Sequence, residues 1–220
     1  MSDLGFHHRF VAGAPNGDGL TLLLLHGTGA DESDLIPVGQ ALAPDAALLS
    51  PRGKVLENGM PRFFRRLAEG VFDLEDLKLR TDELAEFVIH AAQKYDLRTG
   101  RILAVGYSNG ANIASSLMLT HPHVLTGGVL FRPMVSVKPV TPPDLRGSKI
   151  LLAAGRRDPI VSPGETERLS ELLTEAGATV STHWHNGGHA LGRDDIDAAA
   201  KWIAAWRASE TARRAQSTNT

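Results

Sequence analysis

No cysteine occurs in the 220 residues, which excludes disulfide stapling, cysteine-rich zinc sites and a cysteine nucleophile together. Any covalent catalysis must use another side chain. Long apolar runs are missing too: the longest aliphatic stretch, Leu20 to Leu25, is interrupted by Thr21 and falls far short of the ~20 residues that cross a bilayer. Neither sign of charge is in excess, with 23 Lys+Arg against 25 Asp+Glu, so no global field draws the chain to nucleic acid or anionic lipid. The start, Met1-Ser2-Asp3-Leu4-Gly5-Phe6, has an early acid and neither a basic nor an apolar leader region, and it does not read as a secretory signal. A cytoplasmic protein with no membrane or nucleic-acid partner is expected. With 42% hydrophobic and 22% charged residues the composition is globular, and one domain is expected over residues 1–208.

Apolar and turn-forming segments alternate along that domain. Asn16-Gly17-Asp18-Gly19 separates a strand around His8 to Val11 from the strand Leu20 to Leu25, which predicts an edge hairpin. Leu35, Val38 and Leu42 share helical spacing, and Ala46 to Leu49 reads as a short strand. Residues 51–78 lack periodicity and predict a long irregular excursion with a functional role. A helix follows, with Leu84, Phe87, Val88, Ala91, Ala92 and Tyr95 on one stripe and Thr81 as its expected cap. Strands at Ile102–Val105, Gly128–Phe131, Ile150–Ala154 and Thr179–Trp184 then alternate with helices at Asn109–Leu119, Glu165–Ala176 and Asp195–Trp206. That alternation predicts an α/β fold whose mostly parallel sheet carries helices on both faces, with no separate lid domain. From Ser209 to Thr220 no large apolar residue remains, and a frayed tail is expected.

The strand Ile102-Leu103-Ala104-Val105 runs into Gly106-Tyr107-Ser108-Asn109-Gly110 and then a helix. This G-x-S-x-G segment is a nucleophile elbow in its strand-turn-helix context, which pushes Ser108 out at the carboxyl end of the sheet. A serine hydroxyl is nearly inert until a base takes its proton, and the base needs a third group to hold its tautomer. Asp158 lies just past the strand ending at Ala154, and His189 follows the last strand in Asn186-Gly187-Gly188-His189. Ser, Asp and His at three strand ends, in that order, predict the triad Ser108, Asp158 and His189. The amide of Thr28, in His26-Gly27-Thr28-Gly29 after the first central strand, and that of Asn109 are the expected oxyanion donors.

At these segments the chain resembles the small α/β-hydrolases of the phospholipase/carboxylesterase family, which include acyl-protein thioesterases and short bacterial carboxylesterases. The matching pieces are Leu25 to Glu32, Gly106 to Ala114, Gly155 to Ile160 and Gly187-Gly188-His189, and the likeness spans Leu20 to Trp206. Arg62-Phe63-Phe64-Arg65-Arg66 with Gly70-Val71-Phe72-Asp73 is similar to the bacterial carboxylesterase branch. Dienelactone hydrolases are related but use a cysteine nucleophile. The resemblance implies an α/β-hydrolase fold and a serine carboxylesterase acting on a small ester, with no metal and no organic cofactor. Its rivals are a thioesterase or lysophospholipase for long acyl chains, and a catalytically silent binding protein. A homodimer is compatible with the sequence.

Within the excursion, Pro61 is expected to open one helical turn that gathers Arg62, Arg65 and Arg66, with Phe63 and Leu67 over the pocket mouth. Phe64, Arg65 and Arg66 are therefore the candidate substrate-binding residues, Arg65 or Arg66 attracting a substrate carboxylate. The competing expectation pairs these arginines with Glu69, Asp73, Glu75 and Asp76. His121 with His123, and His183 with His185, have metal-ligand spacing, but no further ligand pattern completes a site.

Overall fold

The computed structural model describes residues 4–68 and 70–217. Strands β1 (His8–Val11) and β2 (Thr21–Leu25) lead into the short helix α1 (Ile36–Leu42) and strand β3 (Ala47–Pro51). Four short strands follow: β4 (Val55–Glu57), β5 (Met60–Arg62), β6 (Arg66–Ala68) and β7 (Val71–Phe72). Helix α2 (Leu74–Lys94), strand β8 (Ile102–Tyr107), helix α3 (Asn109–Thr120), strand β9 (Gly127–Phe131) and strand β10 (Lys149–Gly155) come next. Helix α4 (Pro163–Glu175), strand β11 (Thr179–His185) and helix α5 (Arg193–Ser217) complete the order.

Seven of the strands form one sheet in the order β1-β3-β2-β8-β9-β10-β11, parallel except for β1. Its central strands are buried on both faces, and alternate side chains separate two cores. Leu23, Leu25, Ala104, Leu130 and Leu152 pack with α2, α3 and α4, whereas Leu22, Leu24, Leu103, Val105 and Ala153 pack with α1 and α5. This is the α/β-hydrolase architecture. The chain leaves β2 toward one edge and returns at β8 to build the other, so the strand order reverses between these neighbours. A crevice at the carboxyl ends of such a pair is where open α/β sheets bind ligands.

Four expectations change. The hairpin of β1 with β2 does not form: β2 already pairs with β3 and β8 on its two edges, so β1 joins the outer edge of β3, His8 opposite Pro51 and Val11 opposite Leu48. The segment between them still turns, the Gly17 amide donating to the Ala14 carbonyl at 2.9 Å, and its Asp18 pairs with Arg101 and Arg207. Thr81 does not cap α2. Asp73 does, its carboxylate accepting the Asp76 amide at 3.1 Å, and Thr81 is buried inside the helix with its hydroxyl 2.7 Å from the Leu77 carbonyl. No helical turn opens at Pro61, which lies in β5 opposite Leu56 across a hairpin closed by Asn58-Gly59, both at positive φ. Asn-Gly at that point is a strong two-residue hairpin signal. Finally, α5 continues through Ser217 where a frayed tail was expected from Ser209: Ser209 accepts a hydrogen bond from Lys149 at 2.6 Å, and the good helix formers Glu210, Ala212, Arg213, Arg214, Ala215 and Gln216 favour its continuation.

Candidate active site

The turn between β8 and α3 is sterically committed. A Cβ on Gly110 would lie 1.9 Å from the Leu25 carbonyl oxygen and one on Gly106 2.7 Å from Ala111 Cα, so only glycine lets β2, β8 and α3 meet this closely. Between them Ser108 adopts φ 52°, ψ −113°, a strained conformation that lifts its hydroxyl off the sheet end. The strain is held in place by backbone bonds, the Ser108 amide donating to the Phe131 carbonyl at 2.9 Å and the Ser108 carbonyl accepting from Asn112 at 3.0 Å.

Ser108, His189 and Asp158 are linked in a row. His189 Nε2 is 2.9 Å from Ser108 Oγ and His189 Nδ1 is 2.8 Å from Asp158 Oδ2. Asp158 is acceptor-only and its carboxylate is 1% exposed, so it accepts a hydrogen bond from Nδ1–H, which keeps the ring proton there and leaves the Nε2 lone pair facing the serine. The other Asp158 oxygen accepts the Ile160 and Val161 amides at 2.8 and 3.0 Å, which fixes the carboxylate. The row can move a proton from hydroxyl to imidazole without any of the three side chains changing place.

A residue the sequence reading missed holds the histidine loop. Arg132, fully buried and at φ 56°, directs all five of its guanidinium N–H groups to acceptors. Nε reaches the Gly188 carbonyl at 3.1 Å and Nη2 the Ala190 carbonyl at 2.9 Å, gripping the chain on both sides of His189. The rest go to the Ala153 carbonyl at 3.0 Å and, bidentately, to Asp195 at 3.0 and 2.7 Å. Burial alone would raise the Asp195 pKa, but Arg132 and the Gly192 amide outweigh it and hold the carboxyl below its ordinary value. An arginine directly after the apolar run Gly128–Phe131 was the available signal, and nothing local says that it is buried.

The loop after β2 is equally pinned. His26 Nε2 accepts the Gly53 amide at 3.0 Å, so Nδ1 carries the proton and donates to the Gly27 carbonyl at 2.7 Å. Burial pushes the His26 pKa below 6.5, which keeps the ring neutral in this structural role. Glu32 is hydrogen-bonded by Arg52, which draws its carboxyl down to about 2. Thr28 Oγ1 accepts from Arg62 at 2.9 Å, while the Gly29 and Ala30 amides are engaged by the Pro61 and Gly27 carbonyls. Among the described residues neither the Thr28 nor the Asn109 amide has an acceptor, and Asn109 is the first residue of α3, whose amides point into the crevice with the positive end of the helix.

These groups open on a cavity of about 280 Å³ lined by Thr28, Ser108, Asn109 and His189, by Phe72, Met134 and Ile160, and by Arg62 and Arg66. Of the three substrate-binding candidates only Arg66 lines it. Phe64 is fully buried and packs edge-on against Phe72, and Arg65 turns to solvent, paired with Asp73 at 2.9 Å. Phe63 is core as well, and Leu67 is exposed. Glu69 lies outside the described residues. Among the described residues no group of three metal-ligating side chains converges.

The sequence profile described as phospholipase/carboxylesterase matches residues 8–207. The chain belongs to that family. MhqD of Bacillus subtilis (strain 168) is 49% identical over 181 residues, 82% of this chain and 90% of its own. The crystal structure of the Bacillus cereus carboxylesterase superposes with a TM-score of 0.87 at 48% identity, covering 90% of this chain and 92% of that one. A carboxylesterase from Mesorhizobium loti gives a TM-score of 0.87 at 35% identity, covering 93% and 97%. This family member is therefore a carboxylesterase-like hydrolase of small molecules, and among the described residues no helix is long and apolar enough to cross a membrane.

Proposed function

We propose that this hydrolase is a serine carboxylesterase that cleaves short-chain carboxylic esters through an acyl-enzyme on Ser108. The observation that carries the reading is the row Ser108 Oγ, His189 and buried Asp158, at 2.9 and 2.8 Å, opening on a small cavity. His189 takes the Ser108 proton as Oγ adds to the ester carbonyl carbon, and the carbonyl π electrons move onto oxygen. The amides of Thr28 and Asn109 receive that oxyanion. When the carbonyl re-forms, the alkoxide leaves with the proton from His189, and a water activated by the same imidazole then releases the acid. Asp158 holds the tautomer throughout.

Phe72, Met134 and Ile160 limit the acyl group, and a cavity of about 280 Å³ suits short chains. A panel of p-nitrophenyl esters from acetate to palmitate, run beside acyl-CoA substrates, tests this. The expected kcat/KM peaks at acetate or butyrate. A peak at octanoate or beyond, or on acyl-CoA, replaces this reading with the long-chain thioesterase or lysophospholipase one.

A further inference from the structure

Cleaving a plain short ester makes no use of two guanidinium groups, yet among the described residues the charged side chains lining the cavity besides His189 are Arg62 and Arg66. Asp158 faces away behind the histidine. Glu57 stands between the arginines, accepting from Arg66 Nε at 2.9 Å and facing Arg62 Nη1 at 3.1 Å, without lining the cavity itself. Among the described residues, one carboxylate against two guanidiniums leaves this wall with a net positive charge.

The two arginines differ in what remains available. Arg62 is buried and committed to Glu57, the Thr28 hydroxyl and the Phe64 carbonyl. Arg66, on β6, uses only Nε among the described residues, so both of its terminal amino groups lack an acceptor. Its side chain is 31% exposed, open enough for a ligand to reach. A planar fork with free donors at the mouth of a small cavity matches a carboxylate better than it matches any neutral ester group.

We propose that the substrate is a short ester carrying a carboxylate, such as a half-ester of a small dicarboxylic acid, and that Arg66 binds that carboxylate. Arg62 contributes charge and holds Thr28. The inference rests on the esterase reading and deepens it, because the positive wall then selects among esters that the serine would otherwise treat alike.

Two matched pairs place the charge on either side of the ester bond. Monoethyl succinate is compared with ethyl levulinate, and the butyrate ester of glycolic acid with acetonyl butyrate. Wild type should favour the anionic member of at least one pair by about tenfold or more in kcat/KM, and roughly 1 M salt should shrink that ratio by screening. Arg66→Gln should cut the ratio about tenfold, Arg66→Lys should keep part of it, and Glu57→Gln should raise it by releasing Arg66 from its partner. A wild-type ratio near one in both pairs overturns the proposal, as does an Arg66→Gln loss that is equal for both members. Turnover of ethyl levulinate that disappears in Ser108→Ala separates the two levels: with that turnover present and no anionic preference, only this inference falls. If no ester in either pair is hydrolysed, the esterase reading falls with it.

Discussion

Ser108, Asp158 and His189 stand at the carboxyl ends of strands of one sheet, whereas Arg62 and Arg66 reach the same cavity from short hairpins that pair with no strand of that sheet. The first group is held through the backbone: Ser108 by Phe131, Asp158 by the Ile160 and Val161 amides, and His189 by Arg132 on its flanking carbonyls. The second is held by side-chain ion pairs converging on Glu57. The proton transfer proposed for the first group tolerates little misplacement, and buried backbone contacts suit that demand. Recognition of a substrate's periphery tolerates more, and a surface excursion can change its side chains without disturbing the sheet.

The largest effect should come from the proposed nucleophile on the frame. Ser108→Ala is expected to lower esterase kcat on the order of 10⁴-fold or more, since removing one member disables the unit. The thermal midpoint should move little, because no packed atom beyond the hydroxyl is lost. A fluorophosphonate probe should label wild type and not the variant. Residual turnover within about tenfold of wild type would place the nucleophile elsewhere.

Next comes the clamp. Arg132→Met leaves Asp195 buried without its partner and frees the carbonyls beside His189, and removing one partner of such a buried pair costs on the order of 3–5 kcal/mol. Arg132→Lys should recover little, since an ammonium cannot supply a planar fork of five donors. Denaturant unfolding measures the loss, and kcat at a temperature where the variant is still folded shows whether His189 has shifted. A loss under about 1 kcal/mol with unchanged kcat would mean that the histidine loop holds itself.

The same contrast explains what could be read from the chain. Ser108 and Asp158 each follow an unbroken apolar run closed by a glycine, and His189 follows Gly187-Gly188 after a mixed strand, so local pattern places them at strand ends. The pairing of β1 was hidden because it depends on which edges of β2 were taken, a property of the assembled sheet. Arg132 was hidden because arginine is usually a surface residue and its acceptors lie more than twenty residues away in sequence. Across 51–78 the absence of periodicity was real, but Asn58-Gly59 carried a hairpin signal that a helical reading of Pro61 and three arginines overrode. The hairpins instead bring Arg62 and Arg66 together on Glu57 at the cavity and turn Arg65 out to Asp73.

Acid should separate the regions more gently. His26 is neutral and buried, its folded pKa lowered from 6.5, so below pH 6.5 the unfolded chain binds a proton that the folded chain does not. Stability is then lost as pH falls through 6.5, by at most about 1.4 kcal/mol per pH unit. Glu57 behaves differently: its folded pKa is held below 4.5, chiefly by the Arg66 hydrogen bond, so its contribution is complete above 4.5 and lost only at lower pH. Denaturant midpoints for wild type and His26→Gln, measured from about pH 7.5 to pH 5, test the assignment. The wild type should weaken across that range more steeply than the variant. Parallel curves would mean that another group on the frame takes up the proton.

The smallest effect should come from Arg65, one residue from the arginine that lines the cavity. Its side chain is 61% exposed and paired with Asp73, and Asp73 retains its capping bond to the Asp76 amide without it. The backbone bond from the Arg65 amide to Asp76, at 2.7 Å, also survives truncation. Arg65→Ala should therefore cost at most about 1 kcal/mol of stability, the usual worth of an exposed pair. It should leave the preference for monoethyl succinate over ethyl levulinate where wild type has it. A fall in that preference equal to the one from Arg66→Gln would show that the net charge of the excursion matters, and not the fork that faces the cavity. The hairpins would then act as a diffuse positive field, and salt would remove the effects of both substitutions together.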